Sequence, residues 1–138
     1  MKSIVALCLS LFVVNLAAQT TNQAVTQSNI KSTICVPGWS KTVRPSTSYT
    51  NKIKRRLMAQ AGLPYASRSK YELDHAIPIS MGGAPKDLAN LALQPWGGPT
   101  GARAKDVVEL RVHRLVCAGR VTLTMGQACF RDNWARCP

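Results

Sequence analysis

Acidic residues are scarce in this chain: 6 Asp and Glu stand against 18 Lys and Arg in 138 residues. That shortage leaves the basic groups without a counterweight. The partners to expect are therefore polyanions: nucleic acid, anionic lipid or an acidic wall polymer. Charge alone does not choose among them. The chain also lacks, after its first residues, any apolar run long enough to span a bilayer, which needs roughly 18 or more residues. It has no Cys-x-x-Cys spacing, which excludes a zinc ribbon of the usual kind. No internal repeat is visible, which excludes a solenoid.

What is present begins with a targeting signal. Lys2 supplies a positive start, Ile4 to Leu16 is apolar apart from Ser10 and Asn15, and Ala17-Ala18 offers small residues for cleavage. Residues 1–18 are expected to be a signal peptide, and the protein to be secreted or periplasmic. Loss of Lys2 from the 18 Lys and Arg leaves 17 against 6 acids, a charge of about +11. Cys8 would leave with the signal. Cys35, Cys117, Cys129 and Cys137 then read as two disulfides, for which three connectivities are possible. We expect Cys35 with Cys117, tying an N-terminal arm to a helix, and Cys129 with Cys137, pinning the tail.

Residues 19–32 are rich in Thr, Gln, Asn and Ser without a hydrophobic period, so a flexible leader is expected there. One domain follows, residues 33–138. A basic helix is predicted from about Thr50 to Ala61, with Ile53, Leu57 and Ala61 inward and Lys52, Lys54, Arg55 and Arg56 free to meet phosphates or simply to be solvated. Tyr71 to His75 and Asn90 to Leu93 read as short strands around a loop containing Pro78, Gly82-Gly83 and Pro85. A helix follows from about Ala102 to Ala118, with Ala104, Val107, Val108, Leu110 and Leu115 on its apolar faces and Gly119 beyond its end. A last helix starts with Thr124 as N-cap, from the Thr124-Met125-Gly126-Gln127 spacing, and carries Ala128 and Trp134 inward.

Asp74-His75 is the pair with chemistry in it. Phosphodiester hydrolysis needs an activated water, an offset for charge on the phosphoryl oxygens, and help for the departing oxygen. A neutral histidine can do the first, and one divalent metal the other two. At a strand end the two side chains point to opposite sides, so Asp74 can hold metal while His75 faces the water. A carboxylate suits Mg²⁺ or Mn²⁺, with Zn²⁺ as the alternative. Asn90 is placed to fix the hairpin through side-chain hydrogen bonds to the loop. Trp39 and Trp96 could stack on bases or fill the core.

The run Glu72-Leu73-Asp74-His75-Ala76-Ile77-Pro78-Ile79-Ser80-Met81-Gly82-Gly83, followed by Asp87-Leu88-Ala89-Asn90-Leu91, resembles the core of the HNH (His-Asn-His) endonucleases. Ala102 to Glu109, Val116-Cys117-Ala118-Gly119 and the Trp134 ending further resemble small exported HNH-like proteins of bacteria. The resemblance implies an α+β fold: a ββα-metal (HNH-like) hairpin-plus-helix core with additional helices, stabilised by disulfides. It implies His75 as general base, Asp74 as first metal ligand and Asn90 as the hairpin-fixing residue. HNH enzymes usually add a His or Asn ligand from the helix after the second strand, and this chain has neither there. Asp106 could supply an oxygen instead. Arg103 or Lys105 could bring positive charge to the phosphate and partly replace the metal. His113 lies about two turns further on and is read as a packing residue.

The function expected from all this is a monomeric, exported, metal-dependent endonuclease acting on DNA, or on RNA, with little sequence specificity. Two other classes remain: a nucleic-acid-binding module on an HNH scaffold that has lost its chemistry, and a basic exported factor acting on the envelope or another anionic polymer.

Overall fold

The structure is a computed structural model describing residues 20–138. The expected signal peptide lies outside the described residues. Among those described, no helix is long and apolar enough to cross a membrane.

The fold is α+β, with a single two-stranded antiparallel sheet among the described residues. A short helix α1 (Trp39–Val43) precedes α2 (Thr47–Gln60). Ser46 caps α2 by accepting from the Tyr49 N–H at 3.4 Å, which starts the helix earlier than its apolar period suggests. Its inward residues are Ile53 and Met58; Leu57 is half-buried and Ala61 exposed, contrary to expectation. Gly62, at φ +67°, lets the chain leave the helix. A 3₁₀ segment, Tyr65–Lys70, then delivers β1 (Tyr71–His75). The Lys54 ammonium donates to the Tyr71 carbonyl at 2.5 Å and ties α2 to that strand.

β1 pairs with β2 (Leu91–Pro95) in a register that sets Tyr71 opposite Pro95, Asp74 opposite Ala92 and His75 opposite Leu91. Asn90, expected to open β2, instead ends the 3₁₀ turn Leu88–Asn90 before it. Two helices complete the domain, α3 (Ala102–Cys117) and α4 (Leu123–Asn133). The buried face of α3 is Ala102, Lys105, Val112 and Val116, while Val107 and Leu110 are 66% and 52% exposed. The predicted apolar face was therefore rotated, because a lysine sits on the inside. α4 is capped by Thr122, whose hydroxyl accepts from the Met125 N–H at 3.2 Å, and not by Thr124. Gln127 is needed elsewhere: it turns inward and donates to the Met81 carbonyl at 3.0 Å.

The core gathers Ile77 and Met81 of the loop, Val112 and Val116 of α3, and Leu123 and Phe130 of α4, together with Val25, Ile30 and Ile34. Val25 and Ile30 lie within the expected leader of residues 19–32 and correct the expectation that it is flexible. Residues 20–32 are packed: Asn22 donates to Gly82 O and Ala84 to Thr20 O, at 2.8 and 2.9 Å, with Thr21 bridging Gly83. The polar residues that suggested disorder satisfy backbone groups. Asn29 Oδ1 accepts from the Thr26 N–H at 2.8 Å while its amide donates to Ala24 O at 2.9 Å. Gln27 accepts from the Leu123 N–H at 2.7 Å. Such local bonds and two or three apolar anchors are enough to fold a segment that composition reads as coil.

Both disulfides pair as expected, Cys35 with Cys117 and Cys129 with Cys137, with Cα separations of 5.6 and 5.5 Å. His113 packs beside the first, its ring 2.8 Å from the Ile34 carbonyl. Lys31 donates to the Cys117 carbonyl at the same junction. Cys35 and Cys117 lie 82 positions apart. Replacing both with Ala is expected to cost about 3–4 kcal/mol of stability through the freed denatured chain. Urea unfolding of the double variant checks this, and an unchanged midpoint would show that the N-terminal packing holds without the bond.

Candidate functional site

Pleating sends Asp74 and His75 to opposite sides of β1, and the loop after the strand decides what each meets. Asn90, fully buried, holds that loop: Oδ1 accepts from the Ile77 N–H at 2.8 Å, and Nδ2 donates to the Ile77 and Ala84 carbonyls at 3.0 and 3.1 Å. Gly83 permits the approach, since a Cβ there would lie 1.8 Å from the Ile77 oxygen. The loop so fixed brings the Pro85 carbonyl 3.0 Å from His75 Nε2. A carbonyl can only accept, so Nε2 carries the proton and Nδ1 keeps its lone pair. No buried side-chain nitrogen or oxygen among the described residues lacks a partner. Nδ1 makes no hydrogen bond within the protein, so it is not sealed from solvent, and His75 lines two clefts. Burial holds the His75 pKa below its ordinary value, against the opposing pull of the Pro85 hydrogen bond and Asp74. The ring is neutral at neutral pH, the form a base requires.

Lys105 of α3 fills the other side of the strand end. It is 2% exposed, and its ammonium donates to Asp74 Oδ2 at 2.7 Å, the His75 carbonyl at 2.7 Å and Glu109 Oε1 at 2.8 Å. Three donors meet three acceptors, so no proton of Lys105 is left for a ligand. Burial would lower its pKa, but Glu109 and Asp74 outweigh that and raise it. Lys105 is thus charged at any physiological pH. The remaining Asp74 oxygen, Oδ1, accepts from the His75 N–H at 2.8 Å.

Two clefts open beside His75. The larger, about 220 Å³, runs between α2 and the hairpin and is lined by Arg44, Thr50, Asn51, Lys54 and Trp96 among others. The smaller, about 140 Å³, is lined by Arg44, Ser40 and four of the six acids in the chain, Glu72, Asp74, Asp106 and Glu109. Arg44, Glu72 and His75 belong to both. Burial raises the Glu72 pKa, helped by the negative charges of Asp74 and Asp106. Burial also pushes Glu109 up to about 7, although Lys105 opposes it.

The structure therefore brings Asp74, His75 and Asp106 to the smaller cleft, while Lys105 is bonded to Asp74 and Asn90 holds the loop, without lining either of these two clefts. It does not bring Arg103, which is exposed on the first turn of α3, nor Lys52, Arg55 and Arg56, to either cleft. Arg55 instead stacks over the Tyr65 ring, 4.1 Å from its centre. The residues present do not fit the expected metal centre. Both oxygens of Asp74 are taken by protein donors, an ammonium occupies the space between strand end and helix, and among the described residues no three His, Cys, Asp or Glu converge on one point. Asp106 lines the same cleft as Asp74. Arg44, Glu72 and Glu109 were missed as site residues. Arg44 carries no signal in the sequence, whereas Glu109 stands four residues after Lys105, the spacing of a helical ion pair. Comparison with family models, with curated proteins and with solved structures finds no match to this chain.

Two outcomes follow from Lys105 and Glu109. Lys105→Met leaves two carboxylates without their counter-charge, and urea unfolding should register a loss of about 3–5 kcal/mol. Glu109 is protonated in the fold but ionised in the unfolded chain between its ordinary value of 4.5 and about 7. Stability from this group is hence lost as pH rises through that window. Glu72 acts with the same sign and His75 with the opposite one. Glu109→Gln should flatten the fall in Tm between about pH 5 and about pH 8, and an unaltered slope would mean that Glu109 does not titrate there.

Proposed function

We propose that this chain is an exported endonuclease that breaks phosphodiester bonds of nucleic acid, built on an HNH-like hairpin-and-helix core with His75 as general base. One observation carries the reading: a buried imidazole, its Nε2–H fixed by the Pro85 carbonyl, lines a cleft that also holds Arg44 and Lys54. A histidine held in one tautomer with an open lone pair is arranged to accept a proton from an attacking hydroxyl. The excess of about 11 positive charges left after loss of Lys2 supports a polyanionic partner, and the two disulfides support an oxidising destination outside the cytoplasm.

In this reading Arg44, shared by both clefts, offsets charge on the phosphoryl oxygens. Lys105 and Asp74 do not touch substrate; they hold the strand end against α3. Asn90 positions the loop that sets the ring. No step is assigned to a metal, since the residues offer it no open ligand set. A nucleic-acid-binding module without chemistry is the second reading, favoured by the complete engagement of the Lys105 ammonium within the protein.

The test is digestion of plasmid DNA and of a mixed-sequence RNA, each in chelator and in Mg²⁺ or Mn²⁺. His75→Ala is expected to lower cleavage by about 10²- to 10⁴-fold with salt-sensitive binding retained. Binding of both polymers without cleavage in any buffer would favour the second reading, and equal rates in the two proteins would remove His75 from the mechanism.

A further inference from the structure

Resting on the nuclease reading above, we infer that the substrate is single-stranded RNA, cut without a metal ion by attack of the ribose 2′ hydroxyl on the adjacent phosphorus. Two independent observations lead here. The first is what the strand end lacks room for. The Lys105 ammonium fills the space between β1 and α3, and its three protons all go to protein acceptors. The larger cleft offers the imidazole of His75 and two cations, Arg44 and Lys54, of which Lys54 is tied to the Tyr71 carbonyl. Hydrolysis of DNA asks such a site to capture and activate a water and to carry most of the phosphoryl charge, the tasks in which a metal excels. RNA brings its own nucleophile, already in place. Well-oriented intramolecular attack has effective molarities on the order of 10⁵–10⁸ M, so one base and one cation suffice.

The second observation is the wall of the larger cleft. Trp96, half-buried just past the end of β2, lines it together with Thr50 and Asn51 of α2. An aromatic side chain sharing a cleft with hydroxyl and amide groups suits an unstacked base, which a duplex does not present. Sequence-tolerant capture of single strands relies on such stacking. The 2′ hydroxyl then does double duty, as the group that marks RNA and as the attacking atom.

The step balances without a co-reactant. The 2′ hydroxyl gives its proton to His75 Nδ1 as the 2′ oxygen bonds to phosphorus. The bond from phosphorus to the 5′ oxygen breaks, that oxygen takes a proton from water, and the imidazolium returns its proton to the resulting hydroxide. The products are a 2′,3′-cyclic phosphate and a 5′ hydroxyl.

The experiment uses the disulfide-bonded protein and four single-stranded oligonucleotides of one sequence: DNA, RNA, 2′-O-methyl RNA, and DNA with one ribonucleotide. Each is incubated in chelator and in Mn²⁺, and products are weighed by mass spectrometry. Cleavage of RNA in chelator, and of the mixed strand only after its ribonucleotide, is expected, with a product one water lighter than the hydrolysed phosphate. Trp96→Ala should raise KM for RNA about 10-fold while leaving kcat within a few-fold, a split that a merely structural Trp96 would not give. DNA cut in Mn²⁺ with RNA untouched in chelator would overturn the inference and leave the nuclease reading standing. So would cleavage of RNA to 5′-phosphate ends, or equal cleavage of DNA and RNA in chelator. No cleavage of any strand in either buffer would overturn both.

Discussion

The ammonium of Lys105 is the point on which the strand end, the third helix and the candidate site all depend. It joins Asp74 and the His75 carbonyl of β1 to Glu109 one helical turn along α3. A buried charge is tolerated only when every proton and every countercharge is accounted for. Here the fit of three donors to three acceptors leaves α3 only one placement against the hairpin. The Phe130 ring, 5.8 Å from the ammonium, closes the site from the side of α4. Such an arrangement contributes more to fixing a unique geometry than to net stability, because desolvation offsets much of the Coulomb gain.

The second constraint is the loop of residues 76–90, with no regular strand or α-helix to stiffen it. Its shape comes from one buried amide, Asn90, one glycine that lets two backbones touch, and the extended arm of residues 20–22 against residues 82–84. Each acts on a different part of the loop, and together they aim one carbonyl at one ring nitrogen. The orientation of His75 is thus set by groups well outside its own strand. On the proposed reading, the chemistry needs one tautomer, and the fold supplies it through backbone placement alone.

Much of this was legible in the sequence, and the exceptions share a cause. β1 and α3 were readable because strand alternation and helical period are local signals, and the cysteine count implied two disulfides while leaving three connectivities possible. The roles of Asp74 and His75 as neighbours on opposite sides of a strand end were readable for the same reason. The inward face of α3 was not, since apolar periodicity assigns a lysine to the outside, and Lys105 is inside because Asp74, 31 positions earlier, awaits it. The arm of residues 20–32 was misread because its polar side chains satisfy backbone groups in place of water. Arg44 reaches the site through the path of the chain between α1 and α2, which no local pattern encodes. Thr122 displaced Thr124 as the cap of α4 because Gln127 was wanted in the core. Long-range partners decided every one of these cases.

The packed N-terminal arm has a consequence for the order of events during synthesis. Val25 and Ile30 lie against Val112, Val116, Leu123 and Phe130, which the ribosome delivers about a hundred residues later. Until they emerge, the arm has nothing to settle on, the glycine loop lacks its pairing strand, and the carbonyl that orients the imidazole has no fixed address. The corner that holds His75 is therefore complete only once the arm has docked on residues of both C-terminal helices.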